Sequence, residues 1–414
     1  MMEIRSTTEQ DREVFVDTFH AAFGRFPEDT TEDGGGAWWS AVEMDRGVLA
    51  VTADGRAVGT AAAYSFELTL PGEVVVPAAG VTVVGVVPSH RRRGVLTAMM
   101  RHQLAELRER GEFLSVLLAS EAVIYRRFGY GPATYTGRLT VSRRHAELAA
   151  PRAGDARPDS GSVEVLRSGE CREVLEEVYD RYRRAQPGAI SRPRRWWDLR
   201  AGQPPIAPAQ RYIALHRDAD GVPDGYASYV LSDGVPDAVR RTVTLTVDET
   251  IALNDEAFTA LARYVLGHDL ITEAVFKHVP ADHPLRWQLA DFRAGVVGAE
   301  MDWLWVRLLD IPRALTARGW FADGELVLDV DDPFLGEHGR YLLTVRDGKA
   351  ECVPTGRQPD LSLDATDLGS IYLGGTTPST LVRAGHIRAH HPAAATLADT
   401  LFRTDQPPHC LHWF

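Results

Sequence analysis

The sequence contains few cysteines, three in 414 residues. Cys171, Cys352 and Cys410 stand far apart along the chain, and no two of them form a CxxC pair. A disulfide framework or a structural zinc site needs more cysteines at closer spacing, so neither is supported. Sparse, unpaired cysteines are typical of proteins in a reducing compartment, and we therefore expect a cytoplasmic protein.

A long hydrophobic run is also missing. The most apolar stretch, residues 74–87, is broken by Pro77, Gly80 and Gly85, and a membrane-spanning helix needs about 20 apolar residues. The first residues lack the basic segment followed by an apolar one that marks a signal peptide. The sequence thus predicts a soluble protein with no membrane span and no classical export signal.

Basic residues are in deficit, with 45 Lys and Arg against 57 Asp and Glu and a formal net charge of −12. A net negative field repels polyanions, which argues against general binding to nucleic acid or to an anionic membrane and is compatible with cationic ligands. The composition, 44% hydrophobic and 25% charged, is that of a globular protein. The length predicts two or three packed domains.

The first third of the chain alternates predicted strands and helices. Apolar residues at helical spacing predict amphipathic helices over residues 12–23 and 95–110. Short β-branched and apolar runs between turn residues predict strands. Together these elements predict one α/β unit, whose strands cover residues 47–52, 56–68, 80–87, 113–119 and 135–142, with a short helix over 121–128.

The remaining two thirds contain two predicted breaks. Residues 150–162 are rich in Pro, Gly, Asp and Ser and predict a linker, and a second break is expected at 295–298, where Gly295 and Gly298 lie close together. The chain is therefore predicted to fold as α/β (α+β) domains. We expect three of them, at residues 1–148, 149–297 and 298–414.

The most informative motif is a strand that leads into a helix through an arginine-rich turn. The run HRRRG ends at Gly94, directly before the helix that begins at Val95. The first N–H groups of a helix have no partner inside it, and the helix dipole favours an anion there. Gly94 lets the backbone approach phosphate oxygens, and arginines add charge-assisted hydrogen bonds. This turn is predicted to bind a pyrophosphate.

The same short pattern occurs a second time, in Arg126-Arg127-Phe128-Gly129-Tyr130-Gly131. This copy follows a predicted helix and leads into a strand, so it has no helix N-terminus to offer an anion. Its glycines are predicted to end the helix instead. The first copy departs from the usual pattern in one respect, because Leu96 stands where a small residue is common.

Two segments, VVPSHRRRGVLTAMM and SEAVIYRRFGYGPAT, resemble the GNAT superfamily of N-acetyltransferases. More narrowly they resemble the actinobacterial enhanced intracellular survival (Eis) acetyltransferases. The resemblance implies a GNAT domain, a degenerate GNAT-like domain and a third domain similar to sterol carrier proteins, joined in an acetyl-CoA-dependent N-acetyltransferase without a metal. Relatives assemble as hexamers, so we expect self-association into a homohexamer.

The resemblance also assigns roles to residues of this chain. Tyr125 matches the general acid of the family, and the C-terminal carboxylate, on Phe414, matches its general base. Phe23 and Trp38 match positions in the wall of the acceptor pocket. Acetyl-CoA is expected to contact three groups of residues: its pantetheine arm would pair with Val84, Gly85 and Val86, its phosphates with Arg92, Arg93, Gly94, Val95, Leu96 and Thr97, and its acetyl end with Ser120 and Glu121.

Direct transfer of an acetyl group to an amine requires these chemical roles. A primary amine with a pKa of about 10 must lose a proton before it attacks, and a departing thiolate leaves more readily when it is protonated. Tyr125 follows Glu121 by one helical turn, so both would face the same side. A backbone N–H of the strand at Val84 to Val86 is a candidate to hold the oxyanion. The apolar ending at Leu411 to Phe414 predicts a packed terminus rather than a frayed one.

Several patterns have competing interpretations. The histidines at positions 386, 390 and 391 have a spacing seen in zinc sites, but no carboxylate or cysteine completes the set, and surface histidines are favoured; the HCLH segment at residues 409–412 keeps a metal site open. The basic aromatic stretch over residues 182–197 is more consistent with a structural or subunit contact than with nucleic acid.

The expected acceptor is an aminoglycoside-like polycation or a lysine side chain, with acidic residues at the cavity mouth. The alternative is a carrier of lipid or another hydrophobic ligand whose acetyltransferase domain is vestigial.

Overall fold

The computed structural model describes residues 2–24, 39, 41–149, 161–167, 171–197, 211–233 and 243–414. The chain forms two compact units, and neither is a single continuous segment. The first contains Met1–Thr134, Gln186–Arg192 and Asp302–Phe414, and the second contains Tyr135–Ala185 and Pro193–Met301. The domain boundaries expected after residues 148 and 297 stay predictions.

Three sheets organise the described residues. In chain order their strands are β1 (Glu3–Ser6), β2 (Gly47–Val51), β3 (Ala57–Leu70), β4 (Val74–Val86), β5 (Leu114–Leu118), β6 (Gly131–Pro132), β7 (Tyr135–Ser142), β8 (Ser162–Arg167), β9 (Tyr212–Arg217), β10 (Pro223–Asp233), β11 (Val243–Ala252), β12 (Glu273–Val279), β13 (Gly295–Asp302), β14 (Leu304–Leu308), β15 (Gly324–Asp332), β16 (Glu337–Arg346), β17 (Lys349–Pro354), β18 (Leu361–Asp364) and β19 (Arg388–Ala389).

The α-helices of the described residues follow the same chain order. They are α1 (Arg12–Phe23), α2 (Val95–Glu109), α3 (Ala122–Tyr125), α4 (Arg172–Ala185), α5 (Arg194–Trp197), α6 (Asp255–Leu266), α7 (Leu285–Gln288), α8 (Ile311–Ala317), α9 (Ala365–Tyr372), α10 (Pro378–Arg383) and α11 (Pro392–Phe402).

Two helices predicted from the spacing of apolar residues, α1 and α2, are confirmed. Helix α1 covers the predicted residues 12–23, and α2 ends one residue before the predicted end at Arg110. One face of α2 is buried, because its apolar residues recur every three or four positions. The buried residues of α2 are Val95, Met99, Met100, Gln103, Leu104 and Leu107.

Within the described residues, no helix is long and apolar enough to cross a membrane.

The first sheet contains a strand that is distant in sequence from the others. Its order is β1-β2-β3-β4-β5-β14-β6, so β14 lies between β5 and β6 and pairs antiparallel with both. The sequence assigned residues 135–142 to this α/β unit, and that assignment is wrong. These residues do form the predicted strand, β7, but it pairs with β12 of the second sheet. Strand pairing is decided by long-range contacts that local periodicity does not report.

The second sheet, with the order β13-β7-β12-β11-β10-β9-β8, lies in the second unit. Its apolar core includes Leu139 of β7, Leu245 of β11 and Leu261 of α6. The break expected at residues 295–298 is wrong, because these residues form the start of β13 at the edge of the sheet. Glycine weakens a strand but does not interrupt its pairing, because it keeps its backbone N–H and C=O groups.

The third sheet, β17-β16-β15-β18-β19, belongs to the first unit. The predicted hairpin turn at Asp347 and Gly348 is confirmed, since both residues have positive φ, 50° and 74°, as a two-residue hairpin turn requires. All residues of α9 are buried. This helix packs against β14, β6 and β15, so it joins the third sheet to the first.

Candidate active site

Two parallel strands of the first sheet separate at its centre. Strands β4 and β5 pair over residues 79–81 and 115–117. Strand β5 ends at Leu118, whereas β4 continues to Val86. The edge of β4 that faces away from β3 is thus available over Thr82 to Val86, where its backbone groups can pair with a bound molecule.

Strand β4 is also distorted at this point. Its pairing register with β3 shifts between Thr60 and Ala62, and Val83 adopts a φ of 46°. A positive φ is disfavoured for a β-branched residue. The side chain of Thr60 donates a hydrogen bond to the Val83 carbonyl at 2.9 Å, which holds this conformation in place. Local strain of this kind is concentrated at functional sites, where it redirects backbone groups.

The arginine-rich turn holds the N-terminus of α2 open. Gly94 has a φ of 81° at the N-cap position, and no side chain caps the helix. Arg92 also has a positive φ, 60°. Arg91 donates to the carbonyl oxygens of Val86 and Ala22, at 3.1 and 2.6 Å, and so ties the turn to β4 and to α1. The N–H groups of the first helical turn therefore remain available to an anion.

These features enclose a cleft of about 460 Å³. Ten of the eleven residues expected to contact acetyl-CoA line it, and the exception is Arg93, which lies on the same turn with an exposed side chain. The predicted residues in the lining are Val84, Gly85, Val86, Arg92, Gly94, Val95, Leu96, Thr97, Ser120 and Glu121, and Ala22, Phe23, His90, Arg91, Ile124 and Arg127 complete it.

Sequence reasoning missed Arg127 as a residue of this cleft. The second arginine-glycine pattern does end a helical turn, since Gly129 has a φ of 78°, and that prediction is confirmed. However, the turn over Arg126–Phe128 directly follows α3, and it brings the Arg127 side chain to the cleft. The signal in the sequence was its position two residues after Tyr125.

Tyr125 is buried at the end of α3 and is not itself one of the residues that line the cleft, although its neighbour Ile124 is. Burial raises the pKa of its phenol, a hydrogen bond with Ser120 acts in the opposite direction, and the charge of Glu121 raises it further. Because Ser120 and Glu121 both line the cleft, the phenol is connected to it through them. A raised pKa keeps the phenol protonated at neutral pH, as a proton donor requires.

The C-terminal residue is packed, as the sequence predicted. Phe414 is 6% exposed, and its ring lies edge-on to that of Phe66 at 4.9 Å between centroids. A Cβ added to Gly80 would lie 3.2 Å from the Phe414 ring, so the terminus covers this glycine of β4. Phe414 thus lies on β4, the strand that lines the cleft. It contacts that strand at Gly80, four residues before Val84, where the β4 part of the lining begins.

The two residues expected in the acceptor wall have different outcomes. Phe23 lines the cleft, and its ring comes within 3.2 Å of where a Cβ on Gly85 would stand. Trp38 lies outside the described residues. The neighbouring Trp39 is buried and packs edge-on against Phe19 at 5.0 Å.

The alternative sites take ordinary structural roles. Exposed His390 and His391 bond to Ser362 and Asp360, both at 2.8 Å. Among the residues described, no three or more His, Cys, Asp and Glu side chains form a group that could hold a metal ion. In the basic aromatic stretch, Trp196 and Trp197 are buried, which is consistent with a structural role.

Family models match three parts of the chain. Residues 3–133 and 188–308 each match an acetyltransferase (GNAT) domain, and residues 311–411 match a sterol carrier protein domain. The separated strands, the distorted β4 and the open helix N-terminus lie in the first of these matches. The fold therefore consists of two GNAT acetyltransferase domains followed by a sterol-carrier-like domain, and the protein is an acetyltransferase.

Individual relatives define the family more closely. The N-acetyltransferase Eis of Mycobacterium tuberculosis is 36% identical over 381 residues, which cover 90% of each chain. An N-acetyltransferase of Streptomyces griseus is 39% identical over 360 residues, covering 86% of each. The crystal structure of Eis1 from Mycobacterium abscessus aligns over 100% of both chains with a TM-score of 0.85 and 34% identity. The chain belongs to the Eis family of N-acetyltransferases, which favours the enzyme over the carrier.

Proposed function

We propose that this protein transfers the acetyl group of acetyl-CoA directly to a primary amine, either of an aminoglycoside-like polycation or of a lysine side chain. The observation that carries the proposal is the cleft, which extends from an uncapped helix N-terminus to Ser120 and Glu121, directly before the short helix that ends at buried Tyr125. The membership of the chain in the Eis family supports the reaction type.

Acetyl-CoA fits the residues of the cleft. Its phosphates would bind at Gly94 and the first turn of α2, with Arg92 and Arg93 supplying positive charge. Its pantetheine amides would pair with the free backbone of β4 from Val84 to Val86, as a further strand pairs with a sheet edge. When bound, acetyl-CoA supplies the acetyl group as a thioester.

Tyr125 is proposed as the general acid. A phenol beside the sulfur would donate a proton as the thiolate leaves, and burial keeps that proton on the oxygen at neutral pH. Ser120 lines the cleft, and its interaction with the phenol would orient Tyr125. The redirected backbone N–H groups of Val84 to Val86 would stabilise the negative charge that develops on the thioester oxygen.

The carboxylate of Phe414 is proposed as the general base that removes the proton of the bound ammonium. Its support is the burial of the terminal residue against Phe66 and over Gly80. A carboxylate shielded from solvent holds a proton more readily than an exposed one, which suits this task. Phe23 and Trp38 are proposed to border the acceptor. The acidic cavity mouth stays a prediction, with Glu121 as the acid in the described lining.

Self-association into a homohexamer and a cytoplasmic location are parts of the same proposal. The edge strand β13 exposes apolar side chains, with Val296 59% and Val297 46% exposed, and nearby Trp287 is 79% exposed. Apolar side chains along an unpaired edge strand are suited to a subunit contact. All three cysteines are free, which agrees with a reducing compartment.

The test measures thiol release from acetyl-CoA with a panel of aminoglycosides and polyamines. We expect turnover with at least one amine, and a decrease in kcat of about 100-fold or more for Tyr125→Phe, in the range of a lost general acid. Adding one residue after Phe414 displaces the carboxylate and is expected to produce a similar loss.

Two variants serve as controls. Trp413→Phe keeps the terminal carboxylate, and Tyr212→Phe removes a phenol from the second sheet, so both are expected to retain the rate of the unmodified protein. Full activity of Tyr125→Phe would exclude the proposed acid, and full activity of the extended chain would exclude the proposed base.

A further inference from the structure

The turn that follows Tyr125 is held by residues far away in the sequence. The side chain of Thr366, in α9, donates a hydrogen bond to the Arg126 carbonyl at 2.9 Å. Arg307, in β14, donates to the Phe128 carbonyl. Both carbonyls belong to the turn over Arg126–Phe128, which also carries Arg127 to the cleft.

The side chain of Arg126 is fixed as well. Its guanidinium contacts His386 Nδ1 at 3.0 Å and Asp367 Oδ1 at 3.4 Å. Asp367 is 2% exposed. Its burial raises the pKa of the carboxyl to about 6, the charge of Asp364 adds to this, and His386 and Arg126 act in the opposite direction. The side chain and the backbone of residue 126 are thus both bound by the region after residue 360.

Two glycines, Gly129 and Gly131, allow β14 and α9 to approach the turn after Tyr125 closely. A Cβ on Gly129 would overlap the guanidinium of Arg307, and a Cβ on Gly131 would overlap the carbonyl of Thr366 and the hydroxyl of Ser370. Arg307 is fully buried and also pairs with Asp332. The turn is therefore enclosed by β14 on one side and by α9 on the other.

The end of a short helix is a weak place to hold a catalytic group. Helix α3 covers only Ala122–Tyr125, and a helix this short has little stability of its own. The last carbonyls of a helix have no partner inside it and need an external donor when they are buried. Thr366 and Arg307 add such donors to the turn that follows Tyr125, at the carbonyls of Arg126, which also accepts from the Gly129 N–H at 2.9 Å, and of Phe128.

We propose that Thr366, in the sterol-carrier-like region, and Arg307, in β14, are positioning residues for Tyr125, so that segments far away in the sequence act as a structural part of the acetyltransferase site. This inference rests on the role of Tyr125 given above. The hydrogen bonds from Thr366 and Arg307 fix the turn after Tyr125 and thereby where its phenol lies relative to Ser120. A displacement of about 1 Å at a reacting group costs up to about 100-fold in rate.

The experiment compares Thr366→Val, which removes the hydroxyl at nearly constant volume, with Thr366→Ser, which keeps it. For Thr366→Val we expect a kcat lowered by about fivefold or more at an unchanged KM for acetyl-CoA, as for a misplaced catalytic group. Thr366→Ser is expected to restore the rate. Combined with Tyr125→Phe, the Thr366→Val change is expected to cause no further loss, because the group that it positions is already absent. The melting temperature of each variant separates positioning from simple destabilisation.

The inference would be overturned if Thr366→Val kept the full rate. It would also be overturned if Thr366→Val lowered kcat by the same factor in the Tyr125→Phe background as in the unmodified protein. If Thr366→Val does not fold, Asp367→Asn provides the same test through the side chain of Arg126, with a smaller expected loss of about twofold to threefold, and a full rate for it would count equally against the inference. Failure of the proposed acid is distinguishable, since it appears as full activity of Tyr125→Phe itself.

Discussion

The two GNAT domains contain the same arrangement of strand, helix and strand, but the helix of the first begins at an uncapped turn with arginines, whereas the helix of the second begins at a capped and acidic one. In the first, β4 leads through α2 to β5, and β4 and β5 pair in parallel. In the second, β11 leads through α6 to β12, and these strands also pair in parallel, over Thr244–Val247 and Glu273–Phe276. The backbone topology is thus shared, and the difference lies in how each helix begins.

Helix α6 begins with its N-terminus satisfied. The side chain of Asn254 accepts a hydrogen bond from the Ala257 N–H at 2.8 Å, and Asp255 and Glu256 occupy the first turn. Helix α2 begins after Gly94 with no side-chain cap and no acidic residue in its first turn. A capped and acidic helix N-terminus repels an anion, whereas an uncapped one next to arginines attracts it. The comparison teaches that the same backbone topology can present a helix N-terminus whose N–H groups are free of side-chain caps or one that is already capped.

The largest effect within this comparison is expected at Gly94. Gly94→Ala introduces a methyl group where φ is 81° and where the backbone is proposed to approach the phosphates of acetyl-CoA. We expect the KM for acetyl-CoA to rise by about tenfold, equivalent to about 1.4 kcal/mol of lost binding. Thiol-release kinetics at varied acetyl-CoA concentrations measure it.

Gly221→Ala is the matched control, because Gly221 has a φ of 79° and open space around it in the second unit. It introduces the same backbone strain far from α2 in the sequence. An equal change of KM in both variants would mean that strain, and not the anion site, is responsible.

An intermediate effect is expected from the cap of the second helix. Asn254→Ala removes the hydrogen bond to Ala257 and another to Asp224, and loss of an N-cap lowers the free energy of unfolding by about 1 kcal/mol. Chemical denaturation measures this change, and thiol release is expected to remain unchanged. Asn254→Ser keeps a capping oxygen and should recover part of the stability. A marked loss of turnover in Asn254→Ala would contradict the separation of roles between the two domains.

The smallest effect concerns pH. Burial near Phe258 and Phe276 lowers the pKa of His283, in the second unit, to about 4. A histidine whose pKa is lower in the folded state contributes full stability above its unfolded pKa of about 6.5, and that stability is lost as the pH falls toward 4. At pH 6 the expected loss is under about 1 kcal/mol. In the first unit, the raised pKa of Asp367 has the opposite effect on the pH dependence of stability. Its carboxyl is protonated at low pH, so the cost of burying a charge there arises only as the pH increases.

Hydrogen exchange of α6 and β12 between pH 7.5 and 5 measures this effect locally. His283→Phe keeps an aromatic ring and removes the titration, so it is expected to flatten the pH dependence. His145→Gln, which changes an exposed histidine of the second unit, should not. A pH dependence that persists in His283→Phe would show that another group is responsible.

Several parts of the active site could be predicted from local sequence. The apolar spacing in α2, the glycine before it and the flanking arginines all act within one turn or one strand, and ten of the eleven predicted cleft residues line the cleft. Arg127 was missed because its place depends on how the turn after α3 is held by Thr366 and Arg307. The positive φ of Val83 was also beyond prediction, since a valine at that position indicates only a strand.

The sequence by itself determined helices α1 and α2, the arginine-rich turn before α2 and the family, because these depend on residues that are neighbours along the chain. Only the tertiary structure decided that β14 completes the first sheet while β7 joins the second, and that Phe414 lies on β4. The physical reason is that strand pairing and the packing of a terminus are selected by the shapes and hydrogen-bonding groups of distant segments, which no local pattern records.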